Sequence, residues 1–192
     1  MVKGKTNMTL SRNLKLVLLS LLIIIGFSSY FLYSSNNYKM LSKREINDFI
    51  EDKRKYNLSI LKEENVKSKL DPHTLILYKN DTKLGTYILT KSRKGIKEYK
   101  GVEVPIDKTL PIQVTGALSG IPYLGVYITN NKLLQEGKYV EMEFEEGTKV
   151  RKKISLDQKG YILSEKTTPE VSRDSVQVSV IKDGQVLYTN EY

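Results

Sequence analysis

The sequence predicts a mainly β protein, with an N-terminal transmembrane helix and a helical stalk preceding an antiparallel β-sandwich. Three observations lead to this fold class. Residues 16–33 form a run of eighteen positions without charge. Residues 38–70 contain no glycine or proline. Beyond them, short runs rich in threonine, valine, isoleucine and tyrosine recur between turn signals, a spacing typical of sandwiches and small barrels.

The uncharged run has the length of a membrane-spanning helix, which needs about 17–25 mostly apolar residues. A helix suits lipid because it satisfies its own backbone hydrogen bonds. We therefore expect residues 14–34 to be a transmembrane signal anchor and residues 1–13 a short cytoplasmic tail. Basic residues flank both ends of the run. Since large C-terminal domains translocate largely regardless of loop charge, we expect a single-pass cell-membrane protein with its C-terminal domain outside.

A cleaved signal peptide is the alternative interpretation of the same segment. Residues 16–25 would form its apolar region, and Gly26 and Ser28 are small enough for a cleavage site. Against cleavage, apolar character resumes between Tyr30 and Tyr33, and these tyrosines are typical of a membrane interface.

Residues 35–70 are predicted to form the helical stalk, because lysine and glutamate predominate there and both favour helix. Ile46, Phe49, Tyr56 and Ile60 follow a heptad spacing. Two heptads are too few to establish a coiled coil, so the stalk either packs on its own domain or dimerises. Pro72 is expected to end it, since proline disfavours helix in the residue before it.

The remaining chain is divided into residues 71–108, a small β segment or linker, and residues 109–192, the β-sandwich. The strand spacing favours an immunoglobulin-like arrangement over a small barrel, although spacing alone carries no function. The candidate strands before the two hairpins described next are 74–78, 86–90, 96–106, 110–118 and 123–129.

Two hairpins have predicted registers. A three-residue loop centred on Gly147 would place Glu145 opposite Lys149 and Glu143 opposite Arg151, because opposite charges stabilise cross-strand pairs. In the second hairpin, the Asp183-Gly184 sequence lies between apolar runs and is a strong hairpin signal. It pairs Ile181 with Val186 and Val180 with Leu187.

Composition excludes several classes of protein. The chain has no cysteine, so disulfide frameworks, thiol nucleophiles and zinc–cysteine sites are excluded. The net charge of +9 is concentrated beside the uncharged run, where it suits anionic lipid. No dense basic stripe with interleaved aromatic residues indicates nucleic-acid binding.

No pattern predicts catalysis, a metal ion or a cofactor. His73 is the only histidine, and its neighbours Asp71 and Pro72 are those of a linker. The glutamates at 141, 143 and 145 alternate along a strand, which spreads their carboxylates instead of converging them on a cation. We expect them to form a solvated face that pairs with the opposite strand.

Binding is the remaining possibility, and one loop stands out. The segment from Gly116 to Tyr123 combines small residues with Pro122 and Tyr123, and lacks the spacing of a hydrolase elbow. Pro122, Tyr123 and Tyr127 are the candidate binding residues, on an exposed surface held by the scaffold. Tyr87, Tyr99 and Tyr139 extend this set, unless the tyrosines simply fill strands.

The expected function is therefore non-catalytic binding at the cell envelope. The expected partners are membrane lipid at the N-terminal helix and an envelope protein or cell-wall polymer at the sandwich. Two alternatives remain: an envelope enzyme that cleaves glycans with a carboxylate pair, and a structural subunit of a membrane assembly whose stalk self-associates.

Overall fold

The computed structural model describes residues 12–35, 38–67, 72–118, 122–165 and 175–192. The chain forms two compact units, Met1–Asn37 and Tyr38–Tyr192. Strands predominate, and every sheet is antiparallel. The predicted mainly β class is confirmed, and the sheets are consistent with a β-sandwich.

The first unit contains helix α1, Arg12–Ser35, so a helix is present over the predicted positions 14–34. Its 24 residues extend for about 36 Å. The side chains from residue 16 to residue 30 are all exposed, including Leu22 and Phe27. Among the described residues, no helix is found that combines the length and the apolar character of a membrane span. Most of the predicted tail, residues 1–11, lies outside the described residues.

The predicted helical stalk over residues 35–70 is wrong beyond residue 54. Helix α2, Lys43–Arg54, begins at a capping box between Ser42 and Glu45. Asn57 then adopts a φ of 58° and ends the helical path. The lysine- and glutamate-rich residues that follow form strand β1, Ser59–Val66, because pairing with the next strand outweighs their weak helix preference. Residues 68–71 lie outside the described residues.

The second unit begins with a four-stranded meander, which we call the helix-bearing sheet. Its strands are β1, β2 (His73–Lys79), β3 (Lys83–Ser92) and β4 (Gly95–Pro105), in that order. Helix α2 packs on its outer face through Ile46 and Ile50, in one cluster with Ile76, Tyr78, Tyr87 and Leu89. Residues 71–108 are therefore a β segment and not a linker. Of the two heptad positions in α2, Ile46 is buried against the chain's own sheet and Phe49 is partly buried there.

Seven further strands and one short helix complete the unit. The central sheet has the order β5-β6-β9, and the outer sheet has the order β11-β10-β7-β8. Helix α3, Asn131–Glu136, follows β6. The strands are β5 (Ile112–Ala117), β6 (Tyr123–Ile128), β7 (Tyr139–Phe144), β8 (Lys149–Lys153), β9 (Gly160–Ser164), β10 (Val176–Lys182) and β11 (Gln185–Glu191).

The central sheet is buried on both faces, so the unit has three β layers. Leu124, Val126 and Ile128 pack with the outer sheet in the largest core cluster. Tyr123, from the alternate positions of β6, packs with Leu77 and other residues of the helix-bearing sheet. This alternation follows from the two-residue period of a strand. Because the helix-bearing sheet and the outer sheet both pack against the central sheet, all three sheets belong to one folded unit.

Gly125 lies where two of these layers approach each other closely. A Cβ atom built there would be 2.5 Å from Cδ1 of Leu77 and 3.3 Å from the methyl carbons of Thr86 and Thr115. Since Leu77 is fully buried, it has little room to move aside. Glycine at this position lets the central and helix-bearing sheets meet.

The β7–β8 hairpin has a register two residues away from the predicted one. Glu143 lies opposite Lys149 and Glu141 opposite Arg151. The loop has three residues, as expected, but Gly147 is its last residue and not its middle one, with a φ of 85°. A type I turn followed by a left-handed residue requires glycine at that third place.

The β10–β11 hairpin confirms the predicted pairing of Ile181 with Val186. Asp183 and Gly184 have φ values of 50° and 84°, as a two-residue type I′ turn requires. The predicted pairing of Val180 with Leu187 is wrong, because a bulge places Tyr188 opposite Val180.

Glu103 on β4 lies at the centre of a network of polar contacts that links β4 to β2 and β3 within the helix-bearing sheet. The Tyr78 hydroxyl donates a 2.5 Å hydrogen bond to its carboxylate. Lys100 lies 2.9 Å and Lys83 3.4 Å from it. The Tyr78 hydrogen bond and the two lysines lower the pKa of Glu103 from 4.5 to about 2, despite partial burial. The charged form of Glu103 therefore stabilises the folded state.

We expect Glu103→Gln to lower the free energy of unfolding by about 2 kcal/mol at neutral pH, because it removes a charge-assisted hydrogen bond. A carboxyl whose pKa is lowered by folding stabilises above its unfolded pKa and loses that effect as pH falls through the folded value. Wild-type stability should thus fall between about pH 4.5 and pH 2, and the variant should show a smaller fall. Urea unfolding of the full chain in detergent at several pH values measures both.

Glu136→Gln is the control, since Glu136 is exposed and its pairing with Lys132 is 3.9 Å long. We expect this change to leave stability and its pH dependence nearly unaltered. An unchanged acid transition in the Glu103 variant would contradict the assigned role of this carboxylate. Glu45, whose pKa is lowered to about 2 by its hydrogen bond to Lys91, contributes to the pH dependence that remains. Asp107 and Asp157, whose pKa values are lowered by hydrogen bonds from Thr109 and Ser155, also contribute to it.

Candidate binding groove

Two of the three predicted binding residues are buried. Tyr123 is 3 % exposed, and its hydroxyl lies 3.0 Å from the Thr86 hydroxyl. Burial raises the pKa of Tyr123. Pro122 is also buried, and its carbonyl accepts a hydrogen bond from the Glu165 amide. The expected exposed surface at Pro122 and Tyr123 is therefore wrong, and residues 119–121 of the same loop lie outside the described residues.

Tyr127, the third predicted residue, is partly exposed and lines a groove. We call this the polar groove; its volume is about 470 Å³. It lies where the β2–β3 turn, the β4–β5 connection and the end of β6 meet. Its lining residues are Lys79, Asn80, Asp81, Ile106, Lys108, Gln113, Tyr127 and Thr129.

Hydrogen bonds hold the wall of the polar groove in place. The Gln113 side chain is 3 % exposed, accepts from the Asp107 amide at 3.1 Å and donates to the Asp107 carbonyl at 2.9 Å. The Thr129 hydroxyl donates to the Leu110 carbonyl at 2.6 Å. Asn80 accepts from the amides of Thr82 and Lys83, which fixes the β2–β3 turn. A wall tied to the backbone in this way is pre-organised for a ligand.

The charges of the polar groove favour an anionic or hydroxyl-rich ligand. The Lys79 ammonium lies 5.9 Å from the centre of the Tyr127 ring, within the range of a cation–π contact. Lys108 adds a second cation, and Asp81 is the only acidic residue in the lining. The Tyr127 ring offers an apolar surface with a polar tip beside these groups. The groove thus combines an aromatic platform, amides and ammonium groups.

Sequence reasoning missed every residue of this groove except Tyr127. The lining comes from four separate segments, and the sequence gives no local sign that they meet. Asn80-Asp81 was recognisable as a turn, but its partner segments become neighbours only when the helix-bearing and central sheets pack together.

The extended tyrosine set does not form one face. Tyr87 packs under α2 in the outer cluster of the helix-bearing sheet, whereas Tyr99 is half-exposed on β4. Tyr139 lies on β7 in the outer sheet, with the Arg151 guanidinium 5.4 Å from its ring. Tyr87 and Tyr123 therefore fit the interpretation that tyrosines simply fill strands. Among the predicted tyrosines, Tyr127 is the one that lines the polar groove.

The acidic stripe is cross-paired as expected, but it is not wholly solvated. Glu141 is buried, and the Arg151 Nε donates to it at 2.6 Å, with Lys149 at 3.7 Å. Glu143 pairs with Lys149 at 2.8 Å. In the part of the chain that the structure describes, no group of three or more acidic, histidine or cysteine side chains is placed to hold a metal ion. His73 is buried at the start of β2.

Comparison with protein-family models, with curated proteins and with solved structures finds no match to this chain. The candidate site consequently depends on the geometry of the polar groove alone.

Proposed function

We propose that this protein is anchored in the cell membrane by residues 14–34 and uses its second compact unit, Tyr38–Tyr192, as a non-catalytic binding module outside the cytoplasm. We call this the β-sandwich unit. Its partner is a hydroxyl-rich, negatively charged cell-wall polymer that lies in the polar groove. The observation that carries the binding proposal is the position of Tyr127 beside Lys79 on a wall fixed by Gln113.

The anchor is supported by the sequence of α1 and by the exposure of its described side chains. The run from residue 16 to residue 33 has no charge, and the side chains described within it, 16–30, are all exposed. A helix with apolar side chains on all sides is suited to an apolar surrounding. Intact mass of the mature protein separates the alternatives, since an uncleaved anchor retains residues 1–28 and a cleaved signal peptide does not.

An immunoglobulin-like sandwich is supported by the topology of β5–β11. The seven strands form a three-stranded and a four-stranded sheet, and three connections, β6–β7, β8–β9 and β9–β10, cross between the two sheets. A constant-type immunoglobulin domain divides its strands as ABED and CFG. In that domain the fourth strand, D, lies in the sheet of strands A, B and E. Here the fourth strand of the seven, β8, lies in the other sheet, paired with the third strand, β7.

A tyrosine in this sandwich supports the same comparison. The Tyr161 hydroxyl donates to the Gln158 carbonyl at 2.7 Å and accepts from the Ser155 amide at 3.0 Å. Immunoglobulin-like sandwiches use a tyrosine whose hydroxyl bonds to backbone a few residues upstream. In this chain the tyrosine lies on the fifth strand of the sandwich, β9, and not on the sixth.

Two observations favour binding over the alternatives. In the acidic groove lined by Glu143, Glu145 and Glu191, Glu143 pairs with Lys149 and Glu145 accepts from Ser175, so two of the three carboxylates are already engaged by neighbours. The self-association alternative needs an open heptad seam. Of the heptad positions, Ile46 is instead buried against the helix-bearing sheet, and Phe49 and Ile60 pack on the same cluster.

We expect Tyr127→Ala to weaken binding of the full chain to purified cell-wall fragments by about tenfold or more, because it removes the aromatic platform of the polar groove. For scale, stacking of one nucleic-acid base on an aromatic side chain contributes about 1–3 kcal/mol, and a tenfold loss of affinity lies at the lower end of that range. Co-sedimentation of the detergent-solubilised protein with the fragments measures the apparent affinity.

Tyr99→Ala is the matched control. Tyr99 is 50 % exposed on β4 and does not line the polar groove. It should bind the fragments as the wild type does. Equal losses in the two variants, or equal binding by both, would contradict the assignment of the groove.

A further inference from the structure

A second basic surface lies at the start of the β-sandwich unit, at the opposite end of β3 from the polar groove. The Lys39 amide donates to the Lys91 carbonyl at 2.9 Å, which attaches the start of this unit to the end of β3. The Lys91 ammonium lies 2.7 Å from Glu45 in the first turn of α2. These contacts bring three segments together: residues 38–39, the start of α2 and the β3–β4 turn.

The exposed side chains of these segments are mostly basic. We call the basic side chains of these segments the basic end; its members are the exposed Lys39, Lys43, Arg44, Arg93, Lys94 and Lys97 and the half-buried Lys91. The acidic groups packed against them are few. Glu45 is held by Lys91, and Asp48 lies 4.0 Å from Arg44. Glu98 on β4 pairs with Lys53 at 2.9 Å. The basic end therefore carries a net positive charge.

Helix α2 begins with charges that oppose its own dipole. Lys43 and Arg44 are its first two residues, where acidic side chains stabilise a helix and basic ones do not, and Glu45 is the acidic residue of the same turn. Basic residues at these two unfavourable positions are typical of a site that serves a function other than helix stability. The exposed apolar side chains of Tyr38 and Ile96 lie among these cations.

The basic end follows the end of α1 closely in the chain. Three residues lie between Ser35, the last residue of α1, and Lys39. The four Cα-to-Cα steps from Ser35 to Lys39 span at most about 14 Å, because an extended chain covers at most about 3.6 Å per residue. A charged surface in physiological salt acts over a Debye length of about 8 Å, and a tether this short allows the basic end to come within that range of the membrane surface.

We propose that the basic end binds the anionic lipid headgroups of the membrane in which α1 is anchored. The inference rests on the proposed function, because the anchor supplies the membrane. Its cations would release counterions from the lipid surface, and Tyr38 and Ile96 would enter the headgroup layer. The β-sandwich unit then has a fixed end towards the lipid, with the polar groove about 30 Å away, at the other end of the ten-residue strand β3.

The absence of cysteine provides a direct test. Ser92→Cys places a single spin label at the β3–β4 turn, and Thr82→Cys places one at the opposite end of β3. The full chain is reconstituted in vesicles of phosphatidylcholine, with or without phosphatidylglycerol. Vesicle flotation first measures whether the chain is attached to the membrane. The accessibility of each spin label to a water-soluble relaxation agent is then measured.

We expect accessibility at residue 92 to fall when phosphatidylglycerol is present, and accessibility at residue 82 to stay the same. Lys94→Gln with Lys97→Gln should abolish the fall. Lys159→Gln with Lys182→Gln, which removes the same charge from exposed sites elsewhere, should preserve it. Salt at 1 M, where the Debye length is about 3 Å, should also abolish it.

Two results would overturn the inference, and they differ from each other. Chains that float with the vesicles while residues 92 and 82 respond alike, or do not respond to phosphatidylglycerol, remove the basic end as a lipid site and leave the anchor intact. Chains that do not float remove the anchor itself, and the inference with it.

Discussion

Replacing Leu19 and Ile23 together by arginine is expected to move the full chain out of the membrane fraction. Both side chains are exposed on α1, near the middle of the uncharged run. One arginine near the centre of a membrane helix makes the free energy of membrane insertion less favourable by about 2.5–3.5 kcal/mol, so two arginines make it less favourable by about 6 kcal/mol. A loss of that size is enough to reverse insertion of a single helix. Carbonate extraction followed by flotation measures the membrane-bound fraction.

Leu156→Arg is the matched control for this prediction. Leu156 is 71 % exposed in the β8–β9 connection, so the same chemical change there should leave the membrane-bound fraction unaltered. Retention of the double arginine variant in carbonate-washed membranes would show that α1 is not what holds the chain there.

Leu77→Ala and Met142→Ala are each expected to lower the free energy of unfolding by about 2–5 kcal/mol. Leu77 lies between the helix-bearing and central sheets, and Met142 lies between the central and outer sheets. Both are fully buried, so each change leaves a cavity. Because the central sheet belongs to both interfaces, the two variants should shift one common transition of the unit formed by residues 38–192. Urea unfolding followed by tyrosine fluorescence and by circular dichroism measures it.

Ile96→Ala is the control, since Ile96 is 42 % exposed on β4 and should contribute little. A separate folding unit made of β1–β4 would give a different result. In that case Leu77→Ala would shift an early transition and Met142→Ala a later one. Two such transitions would contradict the shared central layer.

Local turn chemistry made parts of the fold predictable. Asp183 and Gly184 favour one turn type strongly enough to fix the pairing of Ile181 with Val186. The β7–β8 register was less determined, because a shift of two residues keeps every side chain on its face and still opposes glutamate to lysine or arginine. The left-handed backbone of Gly147 decides between the two registers.

Tertiary pairing explains the larger errors. Residues 59–66 have a composition that favours helix, but each forms part of a strand because β2 offers a long antiparallel partner. Pro122 and Tyr123 looked like an exposed loop, but both are buried, and the helix-bearing sheet that packs on Tyr123 leaves no mark in the local sequence. The polar groove was unpredictable for the same reason, apart from Tyr127.

The central claim is that the β-sandwich unit lies outside the cytoplasm on a membrane-anchored chain, and one labelling measurement tests it directly. Leu156→Cys introduces a single exposed thiol into a chain that has none. Intact cells are treated with a membrane-impermeant maleimide, and the labelled protein is recovered from carbonate-washed membranes. The account predicts full labelling without permeabilisation. Labelling that appears only after permeabilisation, or label found only on protein outside the membrane fraction, would contradict it.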